Sequence, residues 1–328
     1  MKILFVRLSA MGDIVHAMPT AMAIKKALPD AQLDWVVQTN FADLLLNHPA
    51  VDNIISFRRR SPISEWWRLR EKTRKEKYDI ALDMQGLLKS AVVVFLSGAP
   101  VKLGYYHQRE YTWLFSKAIR PPQDALHVIE HYLVVAEAIT NRKADVEFGL
   151  RPQPDAITSV KEKISELLGE KLLAINLGAG KTFKCWPIPH FAKLVNRAEK
   201  NGWRCVIVGS SHEQVLYEEL CKELQYRPFS MVGKTSVGEL VALISLVDAH
   251  VGVDTGSIHI AAALGTPVVC IMGPTDPRRS GPYPLQNSRS AILYKGPDGI
   301  SQITPEEVFE KVEQIIEITD ERTEIRKL

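Results

Sequence analysis

The sequence predicts an α/β protein built from two doubly wound, parallel-sheet domains, and three observations carry that expectation. Short apolar runs rich in β-branched residues alternate with amphipathic segments along the chain. The alternation is interrupted at a polar, Pro-containing patch, RPQPD (151–155), and then restarts. Each half opens with a strand-like run and a Gly-containing loop, as Rossmann-like units do. With 328 residues, 46% of them hydrophobic and 24% charged, the chain is long enough for two cores, and its composition excludes a disordered, collagenous or small disulfide-stapled protein.

In the first half, KILFVRL (2–8), LDWVVQ (33–38), NIISF (53–57) and YDIALDMQ (78–85) read as strands, while 20–28, 62–76, 86–97 and 125–140 carry helical spacing. This βαβα rhythm implies a parallel sheet covered by helices on both faces. In the second half the strands are LLAINLG (172–178), WRCVIVG (203–209), FSMVG (229–233), VDAHVGV (247–253) and PVVCIMG (267–273). The expected domains are 1–153 and 154–328, facing a central cleft, with a last amphipathic helix over 305–319 that could pack back on either. Ligands in such sheets bind beyond the carboxyl ends of the strands, so the loops there are where chemistry is expected.

Net charge is +3, from 41 basic and 38 acidic residues, too balanced for a protein that coats nucleic acid. The distribution is uneven. Arg58 to Lys77 holds nine basic and three acidic residues, a net +6, so the remainder sums to −3. Such a segment suits a specific anionic partner or surface. The four cysteines, Cys185, Cys205, Cys221 and Cys270, form no CxxC pair and read as reduced thiols of a cytoplasmic protein. No signal-peptide pattern opens the sequence, since Lys2 leads straight into a strand-like run. The longest uncharged run, Thr255 to Thr275, is broken by Gly256, Gly265, Pro267, Gly273 and Pro274 and does not read as a membrane span; any membrane contact is peripheral.

Three constellations suit chemistry. RLSAMGDIVHAMP (7–19) follows the first strand; Gly12 permits a tight turn, and Asp13 at the mouth of the cleft suits general-base work on a hydroxyl. The plain alternative is that Asp13 caps the next helix, with Pro19 near the first turn of a later segment. NLGAGKTFKCWP (176–187) follows the first strand of the second half. Gly178 and Gly180 expose backbone amides there, and Lys181 and Lys184 supply cations for a diphosphate, against the alternative of a solvated turn. In GVDTGSIHIAAALGTPVVCIMGPTDP (252–277) a strand ends at Asp254, Thr255 and Gly256, and a helix begins with His259 in its first turn. Its N-terminus offers amides to an anion, and Asp254 suits sugar hydroxyls; the alternative is an N-cap on an internal helix.

The sequence also excludes readings. No GxGxxG or GxxxxGK is present, which disfavours a nicotinamide-dependent oxidoreductase, the main rival of a different class. No Asp-x-Asp occurs, so a metal-dependent glycosyltransferase is not indicated. His127 and His131 have ligand-like spacing around Glu130, but no HExxH exists, and an exposed helix face is the expectation; no metal site is assigned.

Taken together, SAMGDIVHAMP (9–19), DMQGLLKSA (83–91), KCWP (184–187), DTGSIHIAAA (254–263) and GPTDP (273–277) resemble, in order and spacing, the ADP-heptose:lipopolysaccharide heptosyltransferases. DWVV (34–37) and QGLLKSA (85–91) are most similar to heptosyltransferase I of that family; types II and III, which use an existing heptose as acceptor, are the alternative. The resemblance implies a GT-B fold, with the acceptor held by the N-terminal half and the ADP-sugar by the C-terminal half. It implies inverting transfer of heptose from ADP-heptose to a Kdo residue of Kdo-lipid A, without metal or cofactor. The expected enzyme is a monomer acting in the cytoplasm, peripheral on the inner membrane of a Gram-negative bacterium, and the balanced charge argues against a nucleic-acid partner.

Carried onto this chain, Asp13 is similar to the family's base and Lys184 to the cation that stabilises departing ADP. Asp254, Thr255, Gly256 and His259 match donor contacts, Glu213 matches a contact to the adenosine part, and Gly178, Ala179 and Gly180 are expected to bind the donor as well. Lys89 and Arg109 match basic positions on the acceptor side, and Arg58, Arg59 and Arg60 are expected to bind the acceptor's anions. The chain departs from the pattern at Ala179 and Gly180, where the family has hydroxyl residues, so backbone amides make contact there, and at Thr235, where the family is apolar.

Overall fold

The computed structural model describes residues 1–58, 62–180, 184–285 and 287–325, the stretch 319–325 by its backbone alone. The chain divides into two compact units, Met1–Arg151 and Pro152–Leu328. The first runs β1 (Lys2–Val6), α1 (Met11–Ala27), β2 (Gln32–Gln38), β3 (Asn53–Phe57), α2 (Ile63–Glu76), β4 (Ile80–Asp83), α3 (Leu88–Leu96), β5 (Val101–Tyr105), β6 (Lys117–Ile119) and α4 (Val128–Thr140). Its six strands are parallel, in the order β3-β2-β1-β4-β5-β6.

The second unit runs α5 (Pro154–Lys163), β7 (Lys171–Asn176), α6 (Ile188–Lys200), β8 (Trp203–Val208), α7 (Gln214–Glu223), β9 (Phe229–Ser230), α8 (Val237–Leu246), β10 (Ala249–Val253), α9 (Gly256–Leu264), β11 (Val268–Met272), α10 (Pro277–Ser280), β12 (Ser290–Tyr294) and α11 (Pro305–Ile325). Its parallel order, β12-β11-β10-β7-β8-β9, repeats the first unit's winding: the opening strand sits centrally, and the fourth strand lies on its other side. Each sheet therefore has one topological switch point, β1/β4 and β7/β10, where the loops leaving neighbouring strands diverge.

The central strands form because their apolar residues are buried on both faces, as parallel strands require, whereas the edge strands β3 and β9 are only partly buried. In the first unit, Leu4, Val6, Ile55 and Ala81 of the sheet pack against Leu69 of α2 and Val93 and Val94 of α3. In the second, Val308, Phe309, Val312 and Ile315 of α11 join the core formed with α6, β8, β10 and β11. Asp34 of the DWVV run is buried and accepts from Tyr78 Oη at 2.6 Å and Asn53 Nδ2 at 2.9 Å, a structural network within the sheet.

Several expectations shift. α1 begins at Met11 rather than at residue 20, and Pro19 lies inside it. An interior proline removes one helical hydrogen bond, at about 3 kcal/mol, and burial of Ile14, Val15, Met18 and Met22 on the same helix offsets that loss. Strands β5, β6 and β12 were not expected. Two of them, β5 and β12, are only half-buried over much of their length, and Lys102 and Gly104 interrupt the apolar run of β5. The Pro-containing patch is already the start of α5, with Pro154 in its first turn. His127 is not on an exposed helix face; it is fully buried and caps α4, its Nδ1 accepting from Ile129 N at 3.2 Å, and His131 Nε2 lies 2.9 Å from the Ala125 carbonyl.

Candidate active site

In the first unit, the chain leaves β1 at Arg7 and enters α1 at Met11, which puts Asp13 in the first turn of the helix. Its Oδ2 accepts from Ala10 N at 3.2 Å, so the capping alternative is part of the truth. The same oxygen also meets Arg7 Nη2 at 2.7 Å. Arg7 is buried: it lies over the Tyr132 ring, donates through Nη1 to the Met84 carbonyl, and its own carbonyl accepts from Trp35 Nε1 at 3.2 Å. Burial works against its charge, but Tyr132 and Asp13 more than compensate and raise its pKa above the ordinary value. Asp13 keeps 44% of its side chain exposed. An exposed carboxylate aimed by a buried, fixed cation is suited to accept a proton from a bound hydroxyl.

The loop after β4 closes this site from the neighbouring strand. Gln85 Oε1 accepts from Leu8 N at 2.9 Å. Asp83, fully buried, accepts from Gln85 N at 3.0 Å and Gly86 N at 2.9 Å and so shapes the turn; its burial raises its pKa. At Gly86, φ is +68° and a Cβ would sit 2.5 Å from the His107 carbonyl oxygen, so only glycine lets the 107–109 loop approach. Arg109, exposed on that loop, donates from its backbone to Gly86 O at 2.9 Å and from Nε to His107 at 2.8 Å. Lys89, in the first turn of α3, donates to the Arg58 carbonyl at 3.3 Å and lies over the Phe57 ring at 4.8 Å. Arg58 is exposed, 3.6 Å from Glu65. Arg59 and Arg60 lie outside the described residues.

In the second unit, the loops after β7 and β10 meet at the switch point. Lys184 Nζ pairs with Asp254 Oδ2 at 2.6 Å, and His259 Nε2 lies 3.5 Å from Oδ1 of the same carboxylate. The Asp254 side chain is only 10% exposed. Burial alone would raise its pKa, but His259 and Lys184 outweigh it and hold the carboxyl at about 2. Lys184 is fixed because its loop is anchored by Trp186, fully buried, whose Nε1 donates to Ile303 O at 2.9 Å. Thr255 is the N-cap of α9 in extended backbone conformation, with no side-chain cap bond, and Gly256 opens the helix, so its first amides remain available to an anion.

Glu213 lies against the same loop. Its Oε1 accepts from Asn176 Nδ2 at 3.2 Å, and its Oε2 accepts from Ser210 N at 2.7 Å and Ser210 Oγ at 2.9 Å. A Cβ on Gly178 would fall 2.5 Å from Glu213 Oε1, so the glycine makes room for the carboxylate. Ala179 packs on the core, and Gly180 faces open space. Asp276 of GPTDP caps α10 and pairs with Arg278 at 2.8 Å. Among the described residues, no three His, Cys, Asp or Glu side chains gather to hold a metal ion. Sequence reasoning missed Arg7, Gln85 and Asn176; an Arg inside an apolar strand end, as in FVRL, is the one signal that could have drawn attention to the first.

Comparison with known proteins agrees with this architecture. The structure of E. coli ADP-heptose lps heptosyltransferase II superposes with a TM-score of 0.84 at 22% identity, over 98% of this chain and 100% of that one. The E. coli heptosyltransferase WaaC, solved with ADP, superposes with a TM-score of 0.78 at 25% identity, over 96% and 100%. In sequence, the lipopolysaccharide core heptosyltransferase OpsX of Haemophilus influenzae is 29% identical over 286 residues, 84% of this chain and 80% of that one. The fold is thus of the GT-B type. Residues 66–299 match the model of glycosyltransferase family 9 (heptosyltransferase), and the chain belongs to that family.

Proposed function

We propose that this enzyme transfers L-glycero-D-manno-heptose from ADP-heptose to a Kdo residue of the lipopolysaccharide inner core, with inversion and without a metal, at the cytoplasmic face of the inner membrane. The observation that carries the reading is the Arg7–Asp13 pair, an exposed carboxylate fixed at 2.7 Å by a buried guanidinium at the end of β1. Asp13 takes the proton of the acceptor hydroxyl as its oxygen forms a bond to the anomeric carbon, and the bond from that carbon to the diphosphate breaks. The leaving ADP gains negative charge, which Lys184 and the opening amides of α9 receive. Lys184 has three N–H donors and gives one to Asp254, so two remain for phosphate oxygens. Asp254 and His259 orient sugar hydroxyls, Gly178, Ala179, Gly180, Thr255 and Gly256 line the diphosphate, and Glu213 meets the adenosine part. Lys89, Arg109 and the Arg58–Arg60 run bind the acceptor's carboxylate and phosphates. The resemblance of DWVV and QGLLKSA supports the type I acceptor.

The test is a transfer assay with ADP-heptose against Kdo-terminated and heptose-terminated acceptors, each with and without EDTA. We expect product on the Kdo acceptor at a rate unchanged by EDTA. Product on the heptose acceptor alone would make the enzyme type II or III, and loss of rate in EDTA would remove the metal-free step.

A further inference from the structure

We propose that the face of the first unit formed by α2, α3 and the neighbouring segment 110–116 is a docking surface for an anionic lipid bilayer. A helix that only covers a sheet carries a polar outer stripe. α3 does not. Ala91, Val93 and Val94 are buried beneath it, while Leu88, Val92 and Phe95 follow i, i+4, i+7 spacing on another side, with Phe95 56% exposed. Lys89 is its one charged residue.

The flanking elements extend this stripe. Arg74 of α2 donates to the Leu96 carbonyl at 3.3 Å, Glu110 accepts from Leu88 N at 2.9 Å, and the Phe95 and Phe115 rings meet at 5.8 Å, so α2, α3 and 110–116 are neighbours. Trp113 is 55% exposed and Leu114 72%. Among the described residues, the tryptophans and the phenylalanine most open to solvent, Trp67, Trp113 and Phe95, all lie on these three elements. A patch of this kind on a monomer marks an interaction surface.

Charge selects the occupant. Within the patch, α2 and the following Lys77 carry six basic residues (Arg68, Arg70, Lys72, Arg74, Lys75 and Lys77) against three acidic ones (Glu65, Glu71 and Glu76), and Arg70 lies over the Trp67 ring at 5.5 Å. Aromatic side chains mixed with Lys and Arg are what a headgroup interface accommodates, the rings at the acyl boundary and the cations among the phosphates. A second copy of this chain in a two-fold contact would set two such basic segments against each other, which disfavours that occupant. The proposal rests on the functional reading only in giving the surface a use, since an acceptor anchored in lipid must be met at the bilayer. The surface itself is read from exposure and charge.

The test is cosedimentation of the full-length protein with phosphatidylcholine vesicles, with and without phosphatidylglycerol, over a range of salt. Two double variants, Leu88→Ser with Phe95→Ser and Trp113→Ser with Leu114→Ser, are compared with Val215→Ser, an exposed control in the second unit, and melting temperatures establish that each is folded. We expect wild type and control to bind the anionic vesicles, salt-sensitively and about tenfold or more above phosphatidylcholine alone, and each double variant to lose about tenfold. Absence of wild-type binding, or equal binding by folded double variants, overturns the proposal. So does a wild-type dimer that the variants convert to monomer with vesicle binding unchanged, which would make the face a contact between copies. Transfer to a water-soluble Kdo acceptor separates the two readings: failure there removes the proposed reaction and leaves the vesicle result standing.

Discussion

Arg7 shows how a single side chain converts a helix-capping aspartate into a candidate base. Asp13 alone would satisfy an amide of its own first turn, which many surface aspartates do. The buried guanidinium, fixed by the Met84 carbonyl and the Tyr132 ring, determines where the exposed carboxylate points. Arg7→Met is therefore expected to lower kcat about tenfold by loosening that orientation, with donor KM nearly unchanged and partial rescue in Arg7→Lys. Steady-state kinetics at saturating acceptor check this. An unchanged kcat would mean the pair only stabilises the fold.

Among the elements, α9 and β10 are tied together beneath the second unit's site. His250 of β10 is fully buried, its Nε2 3.0 Å from Ser257 Oγ in the first turn of α9 and its Nδ1 3.2 Å from Ala174 O of β7. Burial lowers its pKa from 6.5 to about 4, and His48, buried in the first unit with Nε2 2.8 Å from Phe148 O, is lowered to about 4 mainly by the same cause. Both are held neutral when folded. The stability they contribute is present above pH 6.5 and is lost as pH falls from there toward 4. Each histidine should cost about 2 kcal/mol between pH 7 and 5. In denaturant unfolding over that range, His250→Gln should be less stable than wild type at pH 7 yet lose less on acidification. An equal slope in both would show that His250 does not titrate on unfolding.

Across the whole molecule, the same winding occurs twice, and each unit presents its candidate site residues at its own β1/β4 or β7/β10 switch point. The proposed labour is divided between the units, the base in the first and the diphosphate cation in the second. Asp13→Ala should thus reduce transfer by about a thousandfold and leave ADP affinity within about twofold, whereas Lys184→Ala should weaken ADP binding as well as transfer. Calorimetric titration with ADP alongside the transfer assay checks both. A loss of ADP affinity in Asp13→Ala would undo the division.

The sequence by itself determined the strand and helix rhythm, the two-unit organisation and the loops that carry Asp13, Lys184 and Asp254, because periodicity and turn chemistry are local properties. It misplaced the start of α1, since Pro19 punctuates locally while burial along the whole helix decides. Only the tertiary structure decided that Arg7 holds Asp13 alongside the helix's own first turn, that Met84 and Gln85 lie beside Arg7 and Leu8, partners 77 positions apart, and that Asp254 meets Lys184 70 positions away. It also decided that α3 is apolar on its outer side. The physical reason is the same in each case: parallel crossovers bring distant strand ends side by side, and no pattern along the chain records which side chains will face one another there.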